Sequence, residues 1–543
     1  MKLNKNRNKR IEDSIFWILF GIMAIYYGWR MFALTPWYDE LYTYYCFISK
    51  GPIYAAIHWP LPNNHVGYSV LSGFLNLFGN SYIGLRGVSY LCALANMILI
   101  YRIAESAFKG VLPLLTVLLY ISMNLVNQMA VQGRGYTLGV TCFLVAWICM
   151  TDICQKEQVR RRTYVIYIFA LTLGLYAVSS HVYWVVPLCL GGGCYLLTLA
   201  FREYQSSTVL IKNRYGKRLF QLIVASLIAA LCTIFLYTLI WLAIGSNLLV
   251  KDESSIYYRM GHVKMILSAP FSAIGKGMEY MLDTPYIQSE ERPGFLGRLG
   301  SFFVSLSDYY FGSMGKVLIL VWIIGIIYLV VRIVKQIRNK EDEKLLLYMI
   351  LLCEIVFIPV CLLIQCKRPY YRVFTYGGVL LAVLFVVLLN ALFNYVYDKK
   401  QQEGRRSILV NILVLITVVW CGKCLLFSGY HEQYSYREYE IQDALENADI
   451  TEGGAYCVTD CNQEYLLHFL YGIRCENRQI EGSDAVILDK RMLDPGFDEM
   501  VWEFYHYYHT IPWEYIEESM SLTYENDNYI VYTLKEKEKE NEK

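Results

Sequence analysis

Two adjacent carboxylates and a scattered set of cations carry the chemistry open to this sequence. Asp39 and Glu40 stand in TPWYDELYTYY, framed by Trp37, Tyr38, Tyr42, Tyr44 and Tyr45. A carboxylate within reach of a hydroxyl can act as general base, and arginine or protonated histidine stabilises negative charge as it develops. The cations are Arg86, Arg134 in QGRGY, His181 in SSHVY, and Lys367, Arg368 and Arg372 in CKRPYYRV. Asn64, His65 and Tyr136 accompany them. Arginine is suited to anions because its planar fork stays charged and meets carboxylate or phosphate oxygens in pairs. Each feature also has a plainer reading. Acidic residues open helices, and Trp and Tyr settle at membrane interfaces. Arg134 reads equally as a snorkelling anchor, His181 as a hydrogen-bonded core histidine, and the Lys367–Arg372 cluster as a seat for lipid headgroups.

The elements that must position these residues are set by long apolar runs. Of 543 residues, 56% are hydrophobic and only 18% charged, with a mean hydropathy of +0.33. Soluble proteins carry about 25% charged residues, so the composition excludes a disulfide scaffold, a disordered regulator and an ordinary soluble enzyme. A membrane helix needs about 20 apolar residues. Eleven segments qualify: 14–34, 84–103, 111–129, 136–151, 163–179, 182–200, 220–244, 315–334, 345–365, 375–394 and 408–427. The stretch 66–79 is too short and is expected to lie on the outer surface. Lys and Arg collect in the N-terminal ten residues and in 152–162, 201–219, 332–344 and 395–407. The positive-inside rule then places the N-terminus and these segments in the cytoplasm. The loops 35–83 and 245–314 and the tail 428–543 fall outside. The first apolar run lacks a small-residue cleavage site and is expected to stay as an uncleaved helix. On this topology the cations above lie on the side that should be poor in Arg and Lys, which points to an anionic ligand at the outer face.

A second composition boundary lies near Ser428. Residues 1–427 hold 40 Lys and Arg against 21 Asp and Glu, whereas residues 428–543 hold 9 against 26. The expected architecture is therefore an all-α polytopic membrane bundle of about eleven spans, residues 1–427, with a small extracytoplasmic α/β domain, residues 428–543. In the tail, GAYCVTD, DAVILDK and NDNYIVYTLK read as strands and QEYLLHFLYG as a helix. Asp460, Asp484 and Asp489 fall at strand ends. An apolar stretch near 262–282 reads as an amphipathic surface helix. Of the sixteen cysteines only Cys421 and Cys424 stand as a CxxC pair, inside an apolar segment, and all read as small core residues.

The order of these features carries a resemblance. W-x-D-E after a first helix, N-N-H-x-x-Y-S before a short apolar stretch ending L-F-G, x-L-R opening a helix, then R-G-Y and S-H-x-Y together resemble the integral-membrane glycosyltransferases of the GT-C superfamily. The likeness covers roughly residues 10–395 and is strongest to the bacterial branch related to protein O-mannosyltransferases and the lipid A aminoarabinose transferase. It implies a sugar donor on a polyprenyl phosphate, used at the outer face of the plasma membrane of a bacterium. It assigns Asp39 as the catalytic carboxylate with Glu40 as the accompanying acid. It also assigns Arg134, His181 and Arg372, with Arg86 and Arg368, to the donor phosphate, and Asn64, His65 and Tyr136 to the substrate loop. The chain departs from the family pattern at His65-Val66-Gly67, where many members have H-P-P, and at Pro369-Tyr370-Tyr371-Arg372-Val373.

The chemistry agrees with that implication. An acceptor hydroxyl must lose a proton while charge grows on the departing phosphate, and a single displacement would invert the anomeric centre. The acceptor is a lipid, a protein or a cell-wall polymer; membrane lipids are partners and nucleic acid is not. A divalent metal on Asp39 and Glu40 stays open, since two carboxylates are few ligands. Two other readings stand beside the transferase. A transporter or flippase of lipid-linked sugars would be expected to show internal repeats and midplane charges, of which Glu354 alone is found. A ligase taking a whole glycan from a lipid diphosphate would draw on the Lys367–Arg372 cluster.

Overall fold

The computed structural model describes residues 2–58, 64–204, 213–244, 260–282, 292–312, 315–398, 403–427, 436–451, 453–459, 461–475, 479–493 and 511–535. All eleven apolar segments are helical. Eight of the described helices are long and apolar enough to cross a membrane, and nine if a bent pair counts as one span. That pair is Leu112–Ile121 and Asn124–Val131, bent by 69° within the segment expected to be one straight span, 111–129. The helix Arg161–Ala177 falls short of the length required, and the last expected span lies within a helix over Glu403–Phe427. The short run after His65 forms a helix over Val66–Asn76. The surface helix expected near 262–282 is present as His262–Leu282, and a helix at Phe295–Phe311 was not foreseen.

The chain divides into two compact units. The first comprises 1–29, 56–68 and 88–430, and the second comprises 30–55, 69–87 and 431–543. Small residues bring helices together in the first unit. A Cβ on Gly191 would lie 2.8 Å from the Ile350 backbone, and one on Gly174 2.5 Å from the Trp184 ring.

The second unit is built on a four-stranded sheet of β1 (Tyr456–Val458), β2 (Ala485–Asp489), β3 (Met520–Glu525) and β4 (Tyr529–Leu534), in the order β1-β2-β4-β3. β1 and β2 run parallel, and the other two pairs are antiparallel. The sequence reading missed β3, whose residues are mostly exposed. β2 is buried throughout because its period-2 alternation feeds two cores. Ala485 and Ile487 join Leu466, Leu467 and Leu445 on one face, while Val486 and Leu488 join Met492, Ile516 and Met520 on the other. The first of these cores also takes in Leu41, Tyr44, Ile48 and Leu85. The segment bearing the two carboxylates is thereby part of the sheet-containing unit.

Candidate active site

In the second unit, Asp39 and Glu40 occupy the first turn of the helix Tyr38–Cys46. The Glu40 carboxylate reaches back to the Trp37 backbone N–H at 3.0 Å, satisfying an otherwise orphaned donor at the helix start. The same carboxylate binds Arg86 through Nε at 2.8 Å and Nη2 at 3.0 Å, with both side chains 0% exposed. Arg86 Nη1 also donates to the carbonyls of Met31 at 3.0 Å and Leu34 at 2.6 Å, and Nη2 to Thr35 at 3.4 Å. A guanidinium has five N–H donors, so all of them are used inside the protein. Arg86 was expected at the donor phosphate; this geometry makes it a clamp joining the end of the first helix to the start of the next. Consecutive helical residues do not face each other. Asp39, buried beside Glu40, is therefore aimed elsewhere, with its backbone carbonyl accepting from the Thr43 hydroxyl at 2.7 Å.

The tyrosines around the acid pair, which suggested a membrane interface, pack on the C-terminal helix Cys461–Tyr471. The Tyr465 ring lies 4.7 Å from that of Tyr45 and 5.9 Å from that of Tyr42, and Phe469 meets Tyr44 edge-on at 5.0 Å. The Tyr45 hydroxyl donates to Glu464, and Arg474 covers the Tyr45 ring at 4.2 Å. Burial, then the Glu464 contact, push the Tyr45 phenol up to about 12. The sequence offered no sign that this tail supports the acid pair.

In the first unit a second cluster forms around His65. Gly135 donates its backbone N–H to Nδ1 of His65 at 2.9 Å, while Nη2 of Arg134 lies 3.3 Å from Nε2. The approach requires glycine at 135, where a Cβ would stand 2.8 Å from Val178 and 3.0 Å from the Ala177 carbonyl. The Tyr136 ring meets His65 edge-on at 4.9 Å, and its hydroxyl accepts from Arg372 Nε at 3.3 Å. Arg372 sits in the turn Tyr371–Phe374, its guanidinium 4.5 Å from the Tyr370 ring. Burial, then the charges of Arg134, Arg372 and His181, hold His65 well below the usual histidine range, so the ring is neutral at pH 7. With Nδ1 accepting from Gly135, the ring proton is assigned to Nε2. Two donors, His65 Nε2–H and Arg134 Nη2–H, then converge on one point.

The other expected residues are placed as follows. His181 is buried, bonds the Gly174 carbonyl through Nδ1 at 2.8 Å, and occupies the space beside Gly139. Asn64 is buried and donates to the His58 carbonyl. Lys367 is buried and Arg368 exposed in the loop after the helix Leu345–Gln365. Asp489 binds Arg491 at 3.0 Å, Asp484 accepts from the Ala455 N–H at 2.9 Å, and Asp460 lies outside the described residues. Sequence reasoning missed Ser89, which holds the Gln132 carbonyl at 2.6 Å and so the turn leading into Arg134. Among the described residues no group of three or more His, Cys, Asp or Glu is set to hold a metal ion. Glu40, spent on Arg86 and Trp37, does not suit a metal pair with Asp39.

Residues 65–241 match the family model of dolichyl-phosphate-mannose-protein mannosyltransferases. The fold resembles that of ArnT from Cupriavidus metallidurans, solved bound to undecaprenyl phosphate. The TM-score is 0.50 at 12% identity, over 95% of this chain and 97% of that one. The fold is thus shared with ArnT, while the family match covers less than half of the chain. The archaeal oligosaccharyltransferase AglB from Archaeoglobus fulgidus, in complex with an inhibitory peptide and a dolichol-phosphate, aligns at TM-score 0.46 and 10% identity, over 89% of this chain and 70% of that one. No curated protein sequence matches the chain. The matched family region begins at His65 and takes in Arg134, Tyr136 and His181.

Proposed function

We propose that this chain is a membrane glycosyltransferase that moves a sugar from a polyprenyl-phosphate donor to an acceptor hydroxyl at the outer face of the plasma membrane, with inversion. Asp39 takes the proton from the acceptor hydroxyl. The freed oxygen attacks the anomeric carbon, the bond from that carbon to the phosphate oxygen breaks, and polyprenyl phosphate leaves with the electron pair. Arg134, Arg372 and the Nε2–H of His65 stabilise the charge on the departing phosphate. Glu40 and Arg86 hold the helix that carries Asp39.

The observation that carries this reading is the meeting of His65 Nε2 and Arg134 Nη2 at 3.3 Å. Two donors at that distance repel unless an acceptor binds both, and a phosphate oxygen is such an acceptor. Phe374, in the same turn as Arg372, lines an apolar cleft with Leu306, Tyr310, Ile355 and Leu380, a wall suited to a prenyl chain.

The test is transfer of labelled sugar from a panel of polyprenyl-phosphate sugars by the purified full chain, beside Asp39→Asn. Discharge of one donor, with an inverted product anomer and loss of turnover in the variant, supports the reading. Full turnover by Asp39→Asn would remove the catalytic assignment, and a retained anomer would exclude a single displacement.

A further inference from the structure

The break between the helices Leu112–Ile121 and Asn124–Val131 exposes a contrast among their amide side chains. Asn127 is fully engaged. Its Nδ2 donates to the Ile121 and Met123 carbonyls at 2.5 and 3.0 Å, satisfying groups freed by the break, and its Oδ1 accepts from the Tyr27 hydroxyl at 2.9 Å. Asn124, Gln128 and Gln132 follow one another at four-residue spacing, Gln132 closing the second helix. Among the described residues, Asn124 Oδ1, Gln128 Oε1 and both Gln132 amide atoms are buried without a hydrogen-bond partner. Gln128 is 8% exposed and Gln132 0%, whereas Asn124 is half-buried, so the strip runs from the surface inward.

Buried amides left unsatisfied cost about 1–3 kcal/mol each, and three in a row on a broken helix are not explained by packing. Broken helices at membrane depth persist where they line a polar cavity, and in transporters such breaks form substrate sites. The strip ends beside the phosphate-seeking cluster, since the Arg134 N–H donates to the Gln132 carbonyl at 2.7 Å. Carboxamides both donate and accept, as hydroxyls do, and carry no charge. Successive amides along a helix stand about 6 Å apart, a spacing that the hydroxyls around a sugar ring can bridge.

We infer that Asn124, Gln128 and Gln132 bind the hydroxyl groups of the transferred sugar, and that this sugar is neutral and hydroxyl-rich. The inference rests on the phosphate reading for its neighbour. The strip sets sugar preference, while Arg134, Arg372 and His65 set affinity for the lipid phosphate.

The experiment measures binding of undecaprenyl phosphate and of undecaprenyl-phosphate glucose and mannose to the purified full chain. Gln128→Leu/Gln132→Leu is compared with wild type, and Asn124→Leu serves as a second variant at the least buried position. Replacing an unsatisfied amide by an apolar group of similar shape leaves folding intact. The expected result is that wild type binds one hexose lipid about tenfold tighter than bare undecaprenyl phosphate, that the double variant loses this preference, and that it holds the bare lipid within about twofold. A preference unchanged in both variants would overturn the strip and leave it as a lining for water, with the phosphate reading intact. Absence of binding to every lipid by wild type would overturn the phosphate reading and the strip together.

Discussion

The carboxylate of Glu40 and the guanidinium of Arg86 meet through two hydrogen bonds, 2.8 and 3.0 Å long, with neither side chain exposed. A buried pair of this kind adds little net stability over an apolar replacement, but loss of one partner strands the other charge. Arg86→Met is therefore expected to destabilise the protein by about 3–5 kcal/mol, read from unfolding in detergent. A variant as stable as wild type would show that Glu40 is not held by this contact.

Asp39 makes a different demand, because it is placed by the clamp without belonging to it. Asp39→Asn is expected to lower turnover by about 10²–10⁴-fold while leaving the melting temperature unchanged. A parallel fall in melting temperature and activity would make Asp39 a structural helix cap.

Arg134 offers a fork, which lysine cannot reproduce. Arg134→Lys is expected to weaken polyprenyl-phosphate binding by about 1.5–3 kcal/mol, the range for a charge-assisted hydrogen bond. Equal affinity in wild type and variant would take Arg134 out of phosphate recognition.

His65 gives the pH dependence its sign. Its folded pKa is depressed by burial first and by the neighbouring Arg134, Arg372 and His181 next. As pH falls below about 6.5 the unfolded chain takes up a proton that the folded chain refuses, so stability is lost toward acid pH. His65→Gln should flatten that part of the profile, and saturating undecaprenyl phosphate should reduce the loss in wild type, since an anion offsets the repulsion. Melting temperatures from pH 5 to 8 decide it, and an identical slope in the variant would place the acid sensitivity elsewhere.

Gly139 and His181 share one space, in which a Cβ would lie 1.9 Å from His181 Cε1. Gly139→Ala is expected to cost about 1–3 kcal/mol through overpacking and to weaken donor binding by displacing the imidazole. Unchanged unfolding would show that the ring has room to move.

Much of this was legible in one dimension because the signals are local. Apolar runs of membrane length mark the helices, since hydrocarbon enforces them wherever they fall in the chain. The run of four buried apolar residues in AVIL likewise marked β2. The resemblance singled out Arg134, Tyr136 and His65, and the structure groups them with Arg372. The hairpin strand β3, with few buried residues, left no such mark, and the helix break at Ser122 and Met123 was hidden inside an apolar run.

The sequence by itself determined the membrane class, the helical segments and the residue types able to do chemistry, because hydropathy and charge depend on composition over short windows. Only the tertiary structure decided what each charge is used for. Arg86 and Arg134 look alike in sequence, yet one spends every donor on Glu40 and on carbonyls while the other faces His65. Tyr42, Tyr44 and Tyr45 resemble an interfacial belt, yet they seat the acid pair on a helix more than 400 residues further along the chain. The physical reason is that a hydrogen-bonding group's role depends on which partners the fold brings within about 3 Å, and those partners come from distant positions that no short window contains.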